Sequence, residues 1–99
     1  MLSPQTAYHL KGLSHPRRIR IYNILLRSKY TLNVGQIQAA AKLNNQAISH
    51  HLNQLERTGF IRKTLKGRET IITLKTTPQT QSAYQILEHS ILEQLEMAA

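Results

Sequence analysis

The chain has 99 residues, enough for one domain with a modest core, and its 40% apolar and 18% charged composition fits a folded chain. It has no cysteine, which excludes disulfides and thiolate metal sites and suits a reducing cytoplasm. It also has no aspartate, which removes Ser-His-Asp triads, Asp-based Mg²⁺ sites and EF-hand loops. No apolar run approaches the roughly 20 residues that span a bilayer, and Met1-Leu2-Ser3-Pro4 does not look like a secretory leader. The net charge is +8 and the pI about 10.3. All 13 Lys and Arg lie within residues 1–75 beside only Glu56 and Glu69, whereas residues 76–99 carry Glu88, Glu93 and Glu96 and no basic side chain. A basic body with an acidic last segment predicts one surface that faces a polyanion and another that faces elsewhere.

Residues 5–12 are expected to form a short helix, with Gly12 near its end. Ser14-His15-Pro16 starts the next one: Ser14 or His15 is the cap, and Pro16 fits the first turn, where a missing N–H costs nothing. Along the helix that follows, Ile21, Ile24, Leu25 and Ser28 share a face, and Arg17, Arg20 and Arg27 lie off it. Asn33, with Gln36 three residues on, makes a capping box for a helix that turns Val34, Ile37 and Ala41 inward. After the short turn Leu43-Asn44-Asn45, Asn44 caps a helix over residues 45–58, which Gly59 ends in the left-handed position. The period then changes. Residues 60–65 and 69–74 are β-rich, and the link Lys66-Gly67-Arg68 makes them a hairpin. Pro78 opens a last helix to about residue 97, with Tyr84, Leu87, Ile91, Leu95 and Ala98 at near-heptad spacing, a stripe that reads as a partner-binding face.

Two helices joined by a tight turn and followed by a basic hairpin form a DNA-reading arrangement. At about 100° per residue, Ile48, Leu52 and Leu55 fall in one arc and must face the core. Gln46, His50, Asn53 and Arg57 lie opposite, with Ser49 and Gln54 on the flanks and Asn45 at the start. Short amides, hydroxyls and imidazoles suit base edges in a major groove better than an ordinary solvent face, where Lys and Glu dominate. The N-terminal residues of such a helix reach deepest, so Gln46, Ser49 and His50 are the leading candidates for base contact. Lys66, Gly67 and Arg68 at the hairpin tip, with Arg62 and Lys63 on its first strand, can reach phosphates or the minor groove. Lys42, Arg17, Arg18 and Arg20 are further phosphate candidates.

Four stretches carry a family resemblance. Leu13-Ser14-His15-Pro16-Arg17-Arg18-Ile19-Arg20-Ile21 resembles the "L-x-x-P-x-R-x-x-I" opening of ArsR-type winged-helix repressors. Leu32-Asn33-Val34-Gly35-Gln36-Ile37 stands where that family has "L-x-V-x-x-L". The run from Ile48 to Ile61 is similar to "V-S-H-H-L-x-x-L-x-x-A-G-L-V", and Gly67-Arg68 matches the wing. The resemblance covers residues 13–74. It implies a mainly α (α+β) winged helix-turn-helix of about five helices with a two-stranded wing. It also implies a homodimer built on the first and last helices, with Tyr8, Tyr84, Leu87, Ile91 and Leu95 in its interface. Each recognition helix would enter one half-site of double-stranded DNA, with Ser49 and His50 in contact.

The sensing chemistry of the family is missing. Its "C-V-C" positions read Leu32-Asn33-Val34 here, so that metalloid site is absent. Where other members bind metal through Asp-x-His and His-x-x-Glu, this chain offers His89 and Glu93 four apart, with Thr76 and Pro78 near the partner positions. That is half a site, so no metal and no other cofactor is expected. His50 and His51 point about 100° apart and cannot chelate one ion together. With no nucleophile–base pair, phosphate-cradling loop or cofactor fingerprint, an enzyme is not expected. The expectation is a cytoplasmic repressor whose effector, if any, is a small molecule or protein. The alternatives are a winged-helix protein-interaction module and a metal-responsive repressor using His89 and Glu93.

Overall fold

The computed structural model describes the backbone of residues 4–98 and the side chains among them, except those of residues 5–7, 88 and 90–98. Helices α1 (Pro4–Leu13) and α2 (Pro16–Arg27) are followed by strand β1 (Thr31–Asn33), then α3 (Val34–Ala41) and α4 (Asn45–Arg57). Strands β2 (Ile61–Lys66) and β3 (Glu69–Leu74) and helix α5 (Pro78–Ala98) follow.

Local side-chain chemistry sets most of these boundaries. His15 is the cap of α2, its Nδ1 accepting the Arg17 N–H at 3.1 Å with Pro16 in the first turn. Asn33 and Gln36 form the expected capping box on α3, at 2.7 and 2.9 Å. Asn44 Oδ1 accepts the Ala47 N–H at the start of α4 (2.8 Å), and Gly59, at φ +86°, turns the chain out of it. Thr77 and Thr80 cap α5 reciprocally: Thr80 N–H donates to Thr77 Oγ1 and Thr77 N–H to Thr80 Oγ1.

Among the described residues the sheet has three strands, in the order β1-β3-β2, all antiparallel. The hairpin is therefore joined by a third strand that the two-stranded expectation did not include. Lys29 and Tyr30 both adopt positive φ (56° and 73°) after α2, and this reversal lays Thr31 beside Thr73. At the other end of the sheet Lys66 pairs with Glu69, so Gly67 and Arg68 alone make the tip. Gly67 takes the positive φ of +65° that such a two-residue turn requires.

The core lies where α2, α3 and α4 meet β3. Ile21, Leu25, Ile37, Ile48, Leu52, Leu55 and Ile72 are buried there. Phe60 is fully buried and meets Tyr22 edge-on, with ring centroids 5.6 Å apart. Tyr22 in turn lies 4.5 Å from Tyr84 of α5. Burial, reinforced by Tyr84 and Tyr30, pushes the Tyr22 hydroxyl up to about 12. At α1 the decisive residue is Gly12. A Cβ built there would sit 2.2 Å from Thr58 Oγ1, so only glycine lets α1 approach the end of α4 this closely.

Candidate nucleic-acid interface

The α3–turn–α4 unit turns sharply because Lys42 caps α3 in the left-handed conformation, φ 57°. In α4 the inward arc is Ile48, Leu52 and Leu55, all buried. Asn45, Gln46, Ser49, His50, Asn53 and Arg57 are all exposed. Two of these amides are held by neighbouring elements. Gln38 Nε2 of α3 donates to Asn45 Oδ1 at 2.7 Å. Lys63 Nζ of β2 donates to Asn53 Oδ1. Glu56 ties the same lysine to α4: its Oε2 accepts the Lys63 backbone N–H at 3.2 Å, and its Oε1 lies 3.9 Å from Lys63 Nζ.

These links set the angle between α4 and the hairpin and leave an open cleft of about 670 Å³. The cleft brings Ser49 and Asn53 of α4 together with Lys63 and Arg68 of the hairpin, and the start of α3 forms its far wall. Arg62, Lys66, Gly67 and Arg68 are exposed along the hairpin, as are Lys42, Arg17 and Arg20. Leu65 is 78% exposed just before the tip, an apolar group that the charge-based reading passed over.

Arg18 is used differently. It is half-buried, and its Nη1–H donates to the Gly12 carbonyl at 2.9 Å, capping the C-terminal end of α1 where a cation is favoured. With Lys11 and Arg57 it lines a separate cleft beside Tyr8, whose hydroxyl donates to the Arg57 carbonyl at 3.0 Å. The residues expected at a dimer contact divide in a similar way. Tyr84 and Leu87 pack partly on the protomer's own core, and Tyr8 is 49% exposed. Ile91 and Leu95 lie outside the described side chains, as does Glu93, the expected companion of the exposed His89. Among the described residues, no three His, Asp or Glu side chains converge as metal ligands.

Sequence reasoning missed the role of His51, which is only 4% exposed. Its ring lies 4.5 Å from that of His15 and 5.4 Å from that of His50. Burial first, then the positive fields of His15, Arg18, His50 and Arg17, holds its pKa down at about 4. His15 is lowered too, by burial, Arg18, Arg17 and His50 in that order. His51 is therefore a neutral strut between α4 and α2. The signal was present in its position, three residues after Ile48 and four before Leu55, on the core side of the wheel.

A family model described as a helix-turn-helix domain matches residues 13–64, just over half of the chain. The chain belongs to this helix-turn-helix family. Over 68 residues the helix-turn-helix protein is 31% identical to the transcriptional activator HlyU of Vibrio cholerae, covering 69% of the chain but only 61% of that relative. The solved structure of HlyU from the same organism overlays it with a TM-score of 0.73 at 26% identity, covering 86% of this chain and 89% of that one. The transcriptional repressor PagR of Bacillus anthracis gives 0.69 at 28% identity, covering 84% and 92%. A homodimeric winged helix-turn-helix DNA-binding domain from Mycobacterium bovis, Mb0332, described as a possible ArsR-family regulator, gives 0.71 at 22% identity, covering 94% and 83%. The helix-turn-helix protein thus has the winged fold of ArsR-type regulators, and its relatives are transcription regulators rather than enzymes.

Proposed function

We propose that this protein is a DNA-binding transcriptional repressor that acts in the cytoplasm as a homodimer on a palindromic site. One observation carries the reading: α4 buries its aliphatic arc and exposes an almost uncharged row of amides, a hydroxyl and an imidazole beside a basic hairpin. Gln46, Ser49 and His50 have the donors and acceptors to pair with base edges, and Lys66, Arg68, Arg62 and Lys42 the charge to hold phosphates. Palindromy follows from a two-fold dimer that presents two copies of α4 about one helical turn of DNA apart. Repression is then occlusion of a promoter, relieved when an effector favours a dimer with the wrong spacing.

The relatives include both an activator and a repressor. Repression by occlusion is favoured here because it needs only the DNA-reading face of α4 and the hairpin, whereas activation needs a further contact with polymerase.

Selection of bound sequences from a random duplex pool tests the reading. An enriched palindrome is expected, and His50→Ala should cost roughly 1–3 kcal/mol on that site and relax base choice at one position per half-site. A pool with no enriched sequence would instead favour a protein-interaction module. For the dimer, Ile91 belongs to the near-heptad stripe expected on α5, so Ile91→Glu tests that face. Sedimentation should show monomers; an undisturbed dimer would place the interface elsewhere.

A further inference from the structure

Asn53 and Lys63 form a pair whose orientation is dictated by chemistry. An ammonium group has three donors and no acceptor, so an amide facing it must present oxygen. The reversed amide would set an NH₂ group against an NH₃⁺ group. Lys63 Nζ does donate to Asn53 Oδ1, and Glu56 holds Lys63 there through the backbone N–H at 3.2 Å and the ammonium at 3.9 Å. Lys63 is well covered, with 27% of its side chain exposed, while Asn53 is exposed on the open side of the cleft. With its oxygen held on the ammonium, the end of the amide that Asn53 turns away from Lys63 is its Nδ2H₂. Guanine, thymine and adenine each offer that group an acceptor in the major groove, whereas cytosine offers only its N4 amino donor and needs the amide oxygen.

Given the DNA-reading function proposed above, on which this rests, we infer that Lys63 is a positioning residue that fixes the Asn53 amide with its oxygen on the ammonium and its NH₂ group toward the DNA. Asn53 therefore pairs with an acceptor on the DNA, either a base-edge acceptor such as guanine O6 or N7, adenine N7 or thymine O4, or a phosphate oxygen, and it discriminates against cytosine. Glu56 is the anchor that keeps the lysine on the amide instead of on the DNA backbone.

The test measures the affinity of the full-length protein for its selected duplex and for every single-base variant of one half-site. It compares the wild type with Asn53→Ala, Asn53→Asp, Lys63→Met and Lys63→Arg, each checked for native far-UV circular dichroism. If the acceptor is a base, Asn53→Ala identifies its position by losing preference there. At that position the wild type disfavours cytosine by about fivefold or more, the lower end of what one good base contact discriminates. Lys63→Met frees the amide to turn its oxygen to the DNA, so cytosine becomes tolerated at that one position, whereas Lys63→Arg, also donor-only, keeps the wild-type profile. If the acceptor is a phosphate, Asn53→Ala weakens all variants equally, and Asn53→Asp weakens them by about tenfold or more, because a carboxylate then faces the phosphate. Asn53→Asp binding as tightly as the wild type would overturn the inference. So would cytosine as the preferred base at the Asn53 position. Either result, with a selected palindrome still relaxed by His50→Ala, would leave the proposed function intact; no selected site at all would remove that function first.

Discussion

Replacing His51 with leucine should flatten the dependence of folding stability on pH. In the folded protein His51 is 4% exposed and its pKa is held at about 4, against 6.5 for the free side chain. Between those values the unfolded chain carries a proton that the folded one does not. Stability contributed by the neutral imidazole is therefore fully present above pH 6.5 and is lost as pH falls toward 4. Each unit of difference is worth about 1.36 kcal/mol, so the full effect is about 3 kcal/mol, of which about 2 kcal/mol falls between pH 7 and pH 5. Against a total stability of about 5–15 kcal/mol for a typical protein, that is a large fraction. His15 is shifted in the same direction and adds to the slope with the same sign. Its protonation would also block the Nδ1 that accepts the Arg17 N–H at the cap of α2. With a urea m-value of about 1 kcal/mol/M for a chain this small, the wild-type midpoint should fall by about 2 M on going from pH 7 to pH 5. His51→Leu should fall by much less, retaining only what His15 supplies. Leucine also removes a buried Nδ1 that has no hydrogen-bond partner among the described residues, which offsets the loss of the imidazole at pH 7. Urea titrations followed by circular dichroism at pH 7, 6 and 5 decide the matter. Equal slopes for the two proteins would refute the reasoning, because they would mean that His51 titrates normally and is not enclosed by α2.

Gly12→Ala places a methyl group 2.2–2.4 Å from the Thr58 side chain, whose Oγ1 is already committed to the Gln54 carbonyl at 2.8 Å. It should lower stability by about 1–3 kcal/mol in urea unfolding, with partial recovery when Thr58→Gly is added; an unchanged midpoint would show that α1 does not lie against α4. Lys66→Ala should weaken binding to every duplex about equally and reduce the slope of log affinity against log salt by about one. A loss confined to one sequence would instead make Lys66 a base reader.

Much of this architecture was legible because its signals are local. Asn33, Asn44 and Gly59 act on backbone groups within a few residues of themselves, so their types and spacing alone located the ends of α3 and α4. The core arc of α4 was legible because helical period converts spacing into direction. What stayed hidden depends on distant parts of the chain. β1 is three residues long, too short to show an alternating pattern of its own. It is a strand because the edge of the hairpin is there to pair with, and Thr31 meets Thr73 although the two lie far apart in sequence. Arg18 looked like a phosphate ligand beside Arg17 and Arg20, yet the close approach of α1 that Gly12 allows puts a helix end within its reach. Tyr84 and Leu87 fitted a partner stripe by spacing, but Tyr22, on another helix, gives α5 something to pack on inside the protomer. At the candidate interface, the residues exposed on α4 could be read from the sequence. The Lys63–Asn53–Glu56 link could not, because it needs the register that places β2 beside α4.

If the outer face of α4 meets DNA with the hairpin beside it, the contact should be visible residue by residue. Titrating the selected duplex into ¹⁵N-labelled protein and mapping the backbone amide shifts tests this most directly. The largest changes should fall on Gln46, Ser49, His50 and Asn53 and on Lys66 to Arg68. Changes confined to α1 and α5, with α4 silent, would contradict DNA reading by this helix.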